Sequence, residues 1–288
     1  MTSDRIETCC GSVIQHGPHN DRIYVMSLDP ASVDRLIPAL DDMAASADYG
    51  KIVAKIPAPC WQPFSAAGYH EEARVPGLFQ GRMDGLFVAK FPAKTGTDIE
   101  ADTAADRRPA NTRPGAGRRG RHRISGNCRP TLCIPMDADA LCRVFRQVFA
   151  SYPFPVYRPD DLKRTMASGT EYYTIRIDGE MAAVAAAEID RKNQAVEMTD
   201  FATLPQWRGL GLAGTLLRHM EGELCGRHIK TAFTIARTES GGINAIFENR
   251  GYLSAGRLIR NTHISGRIQD MNVWYKRLRR GGSLRSRD

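Results

Sequence analysis

The stretch from Asp200 to Leu217 reads DFATLPQWRGLGLAGTLL. An extended apolar run ends at Pro205. A glycine loop follows over Arg208-Gly209-Leu210-Gly211-Leu212-Ala213, and a helical pattern opens directly behind it. Strand, glycine loop and helix in that order suit a phosphate. Glycine lets the backbone approach closely and adopt φ > 0. The first-turn N–H groups of a helix have no intrahelical acceptor and point outward at an anion. The helix dipole adds roughly 0.3–1 kcal/mol at an exposed site and up to ~2 kcal/mol when partly buried. Arg208 supplies a permanent cation at the edge of the loop. A Walker loop is excluded, because no Gly-Lys-Ser/Thr closes it. Gly209, Gly211 and Gly214 do meet the G-x-G-x-x-G spacing of a dinucleotide-binding turn. However, an arginine leads this loop, and the next extended run ends in Ala236-Arg237 rather than in an acid, as that motif requires. The remaining alternative is a strand–helix turn with glycines for close packing.

The elements that must position the loop follow from periodicity. In the first half, strands are expected over Asp21–Leu28, Lys51–Ile56, Ala73–Phe79 and Leu86–Phe91. A helix is expected over Ser32–Tyr49, where Val33, Leu36, Ile37, Leu40 and Met43 recur at helical spacing, and a short one over Pro59–Gly68. In the second half, a helix over Asp137–Ala150 presents Leu141, Val144, Phe145 and Val148, and a short helix covers Pro159–Met166. An antiparallel hairpin over Tyr172–Ile177 and Met181–Ile189 turns at Asp178-Gly179. The strand Ala195–Thr203 leads into the loop. The helix after it carries Leu212, Leu216, Leu217, Met220 and Leu224 on one face. Thr231–Arg237 is a strand, Gly242–Asn249 a helix running into Gly251-Tyr252, and Asn272–Leu278 a last strand.

Composition bounds the rest. With 288 residues, 42% of them apolar, the chain can bury a real core in one large or two ordinary domains. No apolar run reaches the ~20 residues that span a bilayer, and the N-terminus lacks the pattern of a signal peptide. Seven cysteines without a C-x-x-C fit reduced thiols in a cytoplasmic protein. Cys9, Cys10, His16 and His19 match no metal-site spacing, so no metal is expected. The net charge of +8 would suggest nucleic acid, but eight arginines and no acid lie between Arg107 and Arg129, and without that segment the charges balance. The segment is rich in Gly, Pro and Ala and reads as a disordered linker, with a nucleic-acid arm as its functional alternative. The chain thus divides into residues 1–94, a linker over 95–130, a domain over 131–280 and a short tail over 281–288. KIVAKI, its helix into Gly68-Tyr69 and the two strands after it parallel TAFTIAR, the helix into Gly251-Tyr252 and the strands that follow, which suggests an internal repeat.

Arg208, Gly211 and Ala213 match the R/Q-x-x-G-x-G/A loop that binds acyl-CoA in the GCN5-related N-acetyltransferases (the GNAT superfamily), which the element order over 131–278 also resembles. The implied fold is α/β (α+β), with a mixed central sheet and a degenerate copy of the same fold in the N-terminal half. The runs NDRIYVMSL, KIVAKIPA, GYHEEARVPGLFQG, YPFPV, EMTDFATLPQWRGLGLA, TIAR and MNVWYK resemble one family within it, the beta-lysine N-acetyltransferases. That resemblance implies transfer of acetyl from acetyl-CoA to the distal amine of beta-lysine, giving the compatible solute Nε-acetyl-beta-lysine used in osmoadaptation. It also implies a lysine 2,3-aminomutase as pathway companion. Acetylation of another small amine (a polyamine or lysine) or of a protein lysine stays open, as does a non-catalytic nucleic-acid-binding protein. The oligomeric state is not fixed, a homodimer being compatible with the sequence.

The resemblance also distributes roles. Phe201, Ala202 and Thr203 would hydrogen-bond the pantetheine arm, and Arg208, Gly209, Leu210, Gly211, Leu212 and Ala213 would hold the pyrophosphate. Asn244 could contact CoA as well. An amine with pKa about 10.4 must lose a proton before it attacks, at about 4.6 kcal/mol at pH 7. Glu197, in the strand before the loop, is the first choice of base, Asp200 the second, and Glu188 on the neighbouring strand the third. Strict strand alternation puts Glu197, Thr199 and Phe201 on one face and Met198, Asp200 and Ala202 on the other, so only one of the two acids would face the amine. Phe247 stands where a tyrosine acid is often found, which leaves Tyr252 or water to protonate the leaving thiolate. Glu188, Asp190 and Asp200 could hold an ammonium, and Arg237, or else Arg260, a carboxylate.

Overall fold

The computed structural model describes residues 4–92 and 129–279, apart from Ser151, Pro153, Pro155 and Ser265. The expected linker, but for its last two residues, and the expected tail lie outside the described residues. The first half runs β1 (Arg5–Cys9), β2 (Ser12–Gly17), β3 (Arg22–Ser27), α1 (Val33–Ala47), β4 (Lys51–Pro57), α2 (Trp61–Ala66), β5 (His70–Phe79) and β6 (Met83–Lys90). The second runs β7 (Thr131–Leu132), α3 (Ala138–Val148), α4 (Pro159–Ala167), β8 (Thr170–Ile177), β9 (Glu180–Asp190), β10 (Ala195–Thr203), α5 (Leu212–Gly226), β11 (Thr231–Arg237), α6 (Gly241–Asn249), β12 (Leu253–Ile264) and β13 (Arg267–Arg277). Among the described residues, no helix is long and apolar enough to cross a membrane.

The helices form where the spacing demands. α1 buries Val33, Leu36, Ile37, Leu40 and Ala44, and ends where Asp48 turns left-handed (φ 52°) and its N–H returns to the carbonyls of Ala44 and Ala45. α5 buries Leu212, Leu216, Leu217, Met220 and Leu224, the expected face. Strands β1, β2 and β7 were not expected, and β12 was expected only as a strand of no stated range after Gly251-Tyr252. β12 is broken by register shifts at Ser254/Gly256 and Leu258/Thr262, and these bulges destroy the two-residue alternation by which a strand is recognised.

All thirteen described strands belong to one mixed sheet, in the order β1-β2-β3-β4-β6-β5-β12-β13-β11-β10-β9-β8-β7. Reading outward from the β5–β12 junction, both directions give the same plan. A hairpin lies innermost (β5-β6, β12-β13), then the parallel pair joined through a helix (β4-β3 through α1, β11-β10 through α5), then an antiparallel meander. The repeat seen in the sequence is therefore present in the topology.

The halves touch in a way a flat sheet forbids. Phe87 of β6 and Phe233 of β11 have ring centroids 6.1 Å apart. Four strand spacings separate β6 from β11, or roughly 19 Å in a flat sheet. The sheet therefore folds over at the junction, and its inner faces share a core of Tyr24, Val53, Leu78, Phe87, Phe233, Leu258 and Val273. Two features hold the fold-over. At the single β5–β12 rung, Gly256↔Ala73, a Cβ on Gly256 would lie 2.7 Å from the Ala73 Cα and overlap the Glu72 carbonyl oxygen. Beside it, the Lys51 ammonium contacts the Glu72 carboxylate at 2.7 Å, each side chain 2% exposed. Lys51 also donates to the Ile259 carbonyl (2.6 Å), and Glu72 accepts from the Ile259 N–H (3.0 Å). Burial pulls the Lys51 pKa down to about 8 against the opposing pull of Glu72. The pair is fully hydrogen-bonded across the junction, which is the condition under which a buried ion pair persists.

Gly256 also has φ +139°, where a side chain is strained. Gly256→Ala should cost roughly 2 kcal/mol or more, read as a Tm lower by about 4 °C or more in thermal unfolding. An unchanged melt would mean that the β5–β12 crossing is not close-packed.

Candidate active site

The loop before α5 is built for an anion. Gly209 (φ 82°) and Gly211 (φ 74°) are both left-handed, and no atom lies within 4 Å of where either Cβ would stand, so the space above the loop is open. α5 begins with no side-chain cap and no acid in its first turn, which leaves its leading N–H groups without a protein acceptor. Arg208 is anchored by Nε donating to the Thr203 carbonyl (3.2 Å) and remains exposed. The equivalent start in the first half is the reverse. Asp29 caps the turn that leads into α1 through its carboxylate and the Ala31 N–H (3.1 Å), and Asp34 sits in the first turn of α1. Two carboxylates there repel a phosphate, so only the second copy can take one.

β10 and β11 pair in parallel only over Ala195↔Thr231, Val196↔Ala232 and Glu197↔Phe233, and then diverge. From Met198 to Thr203, β10 keeps its β9 partners on one side, while its other edge faces the gap toward β11. Phe201, Ala202 and Thr203 lie on this opened stretch, and Glu197 sits where the opening begins. An uncapped helix start, an open glycine loop and an unpaired strand edge together fit a long ligand with a diphosphate and an amide-bearing arm.

The strand itself departs from regular alternation. A bulge lies between Thr199 and Ala202, and Asp200 is the extra residue, left-handed at φ 55°. Met198 and Phe201 consequently pack on the same α5-side cluster. Asp200 turns to the other side, where its carboxylate accepts from the Tyr152 hydroxyl (2.6 Å) and the Thr199 hydroxyl (3.3 Å). The expectation that only one of Glu197 and Asp200 could serve the site is thus corrected. The bulge brings both to the face opposite α5.

On that face Glu188 and Glu197 are direct cross-strand partners. They border a cavity of about 250 Å³, with Lys55, Leu78 and Phe79 from the first half and Phe233 from β11 as further walls. Both side chains are half-buried and open onto this cavity. Burial, then the charges of Glu197 and Asp200, pushes Glu188 up to about 8. Burial, with Asp200 adding to it and Lys55 opposing, pushes Glu197 up to about 7. Burial also raises Asp200, against the hydrogen bonds of Tyr152, Thr199 and Tyr172. Two like charges on one rung cannot both ionise cheaply, so the pair titrates as a unit around neutrality.

Other expected residues stand elsewhere. Asn244 has all four amide positions filled. Nδ2 donates to the carbonyls of Arg237 and Ser240 (2.8 Å each), and Oδ1 accepts from Asn272 Nδ2 (3.0 Å) and Trp274 Nε1 (2.8 Å). It ties α6 to β11 and β13, and has nothing left for CoA. Tyr252 is buried, its ring 4.9 Å from that of Phe247, which in turn packs 5.4 Å from Phe201. Burial, then the Glu221 charge, raises its pKa well above the phenol range, so the hydroxyl keeps its proton at neutral pH. Asp190 borders the cavity, but its carboxylate caps the β9–β10 turn through the Asn193 N–H (3.0 Å) and Nδ2 (2.7 Å). Arg237, at the end of β11, is not among the cavity walls, and Arg260 is exposed on the β12 bulge. Lys55 and Tyr152 were missed. Their strand and proline-rich turn carry no chemical motif, although both fall within the KIVAKIPA and YPFPV runs.

Residues 138–247 match the acetyltransferase (GNAT) family. Over 265 residues, 92% of this chain and 96% of the other, the sequence is 32% identical to the beta-lysine N(6)-acetyltransferase of Methanococcus maripaludis. The chain belongs to the GNAT acetyltransferase family. Shorter matches, to about half of each chain, reach 36% identity over 145 residues with the beta-lysine N(6)-acetyltransferase of Methanosarcina mazei, and 37% over 142 residues with the N-acetyltransferase YodP of Bacillus subtilis. The family uses acetyl-CoA, and the features of the α5 loop fit that molecule.

A pH effect on stability follows from the glutamate pair. Both carboxyls, raised from an ordinary 4.5, keep protons in the folded protein that the unfolded chain has already released. The stability they lend is complete below about pH 4.5 and is lost as pH rises through about 7 and 8. The Glu188→Gln/Glu197→Gln double variant should therefore lose less Tm than the wild type between pH 5 and pH 9. Parallel melting curves across that range would show that the carboxyls are not raised.

Proposed function

We propose that the protein moves acetyl from acetyl-CoA to the distal amine of beta-lysine. The observation that carries this reading is the glutamate pair, set where β10 leaves β11 and walled into a small cavity. Ligand pockets usually run to several hundred Å³. One of about 250 Å³ suits a small amine better than a protein side chain with its backbone. The relative that this chain resembles along almost its whole length is named for beta-lysine, which favours that substrate over a polyamine or free lysine.

In this reading the two faces of β10 divide the work. The α5 first turn, Gly209, Gly211 and Arg208 hold the diphosphate, and the free edge of Phe201–Thr203 aligns the pantetheine arm. On the opposite face Glu197 receives the amine. Its carboxyl, held near 7, is matched to taking a proton at neutral pH, and an incoming ammonium favours its ionised form. Glu188 holds the second position of the pair and shares the proton. Asp200, fixed by Tyr152, adds negative charge behind them. The freed amine attacks the thioester carbonyl directly, and backbone N–H groups along the opened strand face the developing oxyanion. With Tyr252 sequestered, the departing thiolate, of ordinary pKa around 8.5, takes its proton from water.

Acetyl-CoA turnover on beta-lysine, lysine and spermidine tests the substrate, and beta-lysine is expected to give the highest kcat/KM. A preference for spermidine, or modification of protein alone, would overturn it. Glu197→Gln should lower kcat by roughly 10²–10⁴ and abolish the rise in rate near pH 7, leaving only the dependence set by the amine's own ionisation. Gly211→Trp should raise the KM for acetyl-CoA at least tenfold; the space it enters is open, and the cost of a side chain at φ 74° should appear separately as a Tm lower by a few degrees.

A further inference from the structure

The inner face of β4 carries two lysines, treated differently by the fold. Lys51 is neutralised by Glu72 at 2.7 Å. Lys55, two inward-facing positions further on, has no carboxylate within 4 Å among the described residues. Its ammonium stands 5.6 Å from the centroid of the Phe233 ring, and its stem lies beside the shared apolar core. It borders the same cavity as Glu188 and Glu197, from the opposite half of the molecule. The cavity therefore has a negative wall and a positive one, and the cation is supplied by the half that has no phosphate loop.

We propose that Lys55 binds the carboxylate of the amine substrate and so selects an amino acid over a carboxylate-free polyamine. The assignment rests on the acetyl-acceptor reading of this cavity. Near neutrality the glutamate pair shares a proton and carries about one negative charge, which Lys55 balances. Beta-lysine carries two ammonium groups and one carboxylate: its distal amine goes to the glutamates, and its carboxylate, beside the 3-ammonium, reaches Lys55 and offsets the repulsion between that ammonium and the lysine. A diamine brings the same second cation toward Lys55 with no carboxylate to offset it, so Lys55 disfavours the diamine. This moves the carboxylate contact from Arg237, which does not border the cavity, to a residue of the N-terminal half. It also gives that half a part in the reaction.

The test compares beta-lysine with 1,4-diaminopentane, which is beta-lysine without its carboxylate, on wild type, Lys55→Met, Lys55→Arg and Arg237→Met. Lys55→Met should raise the KM for beta-lysine roughly 10- to 100-fold with kcat within about threefold, and leave or lower the KM for the diamine. Lys55→Arg should restore most of the discrimination, and Arg237→Met should leave it unchanged. Calorimetric binding of the two compounds reads the same selectivity without turnover, and melting curves confirm that each variant is folded. Equal weakening of both compounds in Lys55→Met would reduce Lys55 to a counter-ion of the glutamates and overturn the assignment, as would loss of discrimination in Arg237→Met. A wild type that binds beta-lysine through Lys55 yet acetylates neither compound would remove the proposed function and leave the Lys55 assignment standing.

Discussion

Two carboxyl groups facing each other on a single rung of β9 and β10, under a cover of apolar side chains, are the costly feature around which this molecule is arranged. Left in water, Glu188 and Glu197 would ionise independently near 4.5 and neither would be a useful base at neutral pH. What changes them is the fold-over of the sheet. Leu78 and Phe79 from the first half wall the cavity against β11 and the β9–β10 turn, and Phe87 packs with Phe233 behind them, so the carboxyls face less water and more apolar surface. Burial first, and the neighbouring acids second, then raise both carboxyls toward neutrality. The rest follows from keeping that cover in place: the close Gly256–Ala73 crossing, the Lys51–Glu72 pair bonded to Ile259, and the shared inner core.

The two halves have one topology and opposite chemistry. The start of α5 has no acid in its first turn and follows two left-handed glycines, the arrangement that suits an anion. The matching start of α1 carries Asp29 and Asp34. The parallel pair of the second half places Glu197 beside Phe233, whereas the matching rung of the first half pairs Tyr24 with Val53. Two units of one topology pack their inner faces together, and a cavity with walls from both lies between them, with the glutamate pair on one side and Lys55 on the other.

The bulge in β10 performs two tasks with one extra residue. It reverses the facing of the strand, which brings Asp200 and Tyr152 to the side of Glu197. It also bends the strand away from β11, freeing a backbone edge. A left-handed aspartate is tolerable there because its carboxylate is held by Tyr152 and Thr199, and those hydrogen bonds compensate a backbone conformation that costs of order 1–3 kcal/mol.

Much of this was legible in the linear chain. The glycine loop, the helix that follows it, the order of elements after Thr131 and the repeat all rest on local signals: spacing, turn residues and apolar periodicity within a dozen residues, whereas Glu197 was singled out through the family resemblance. What could not be read locally was set by contacts between distant segments. The bulge at Asp200 inverted an alternation that is regular in the sequence, because which residue is left unpaired depends on the register of β9. Asn244 looked available and is saturated by Trp274 and Asn272 from a strand some thirty residues away. Lys55 looked like one more strand lysine until the folding of the sheet carried it across to the glutamates. Residue types and their spacing along the chain determined which reaction class this protein could serve. The facing of its side chains across the fold-over, which depends on packing between halves, decided which of those residues share the cavity.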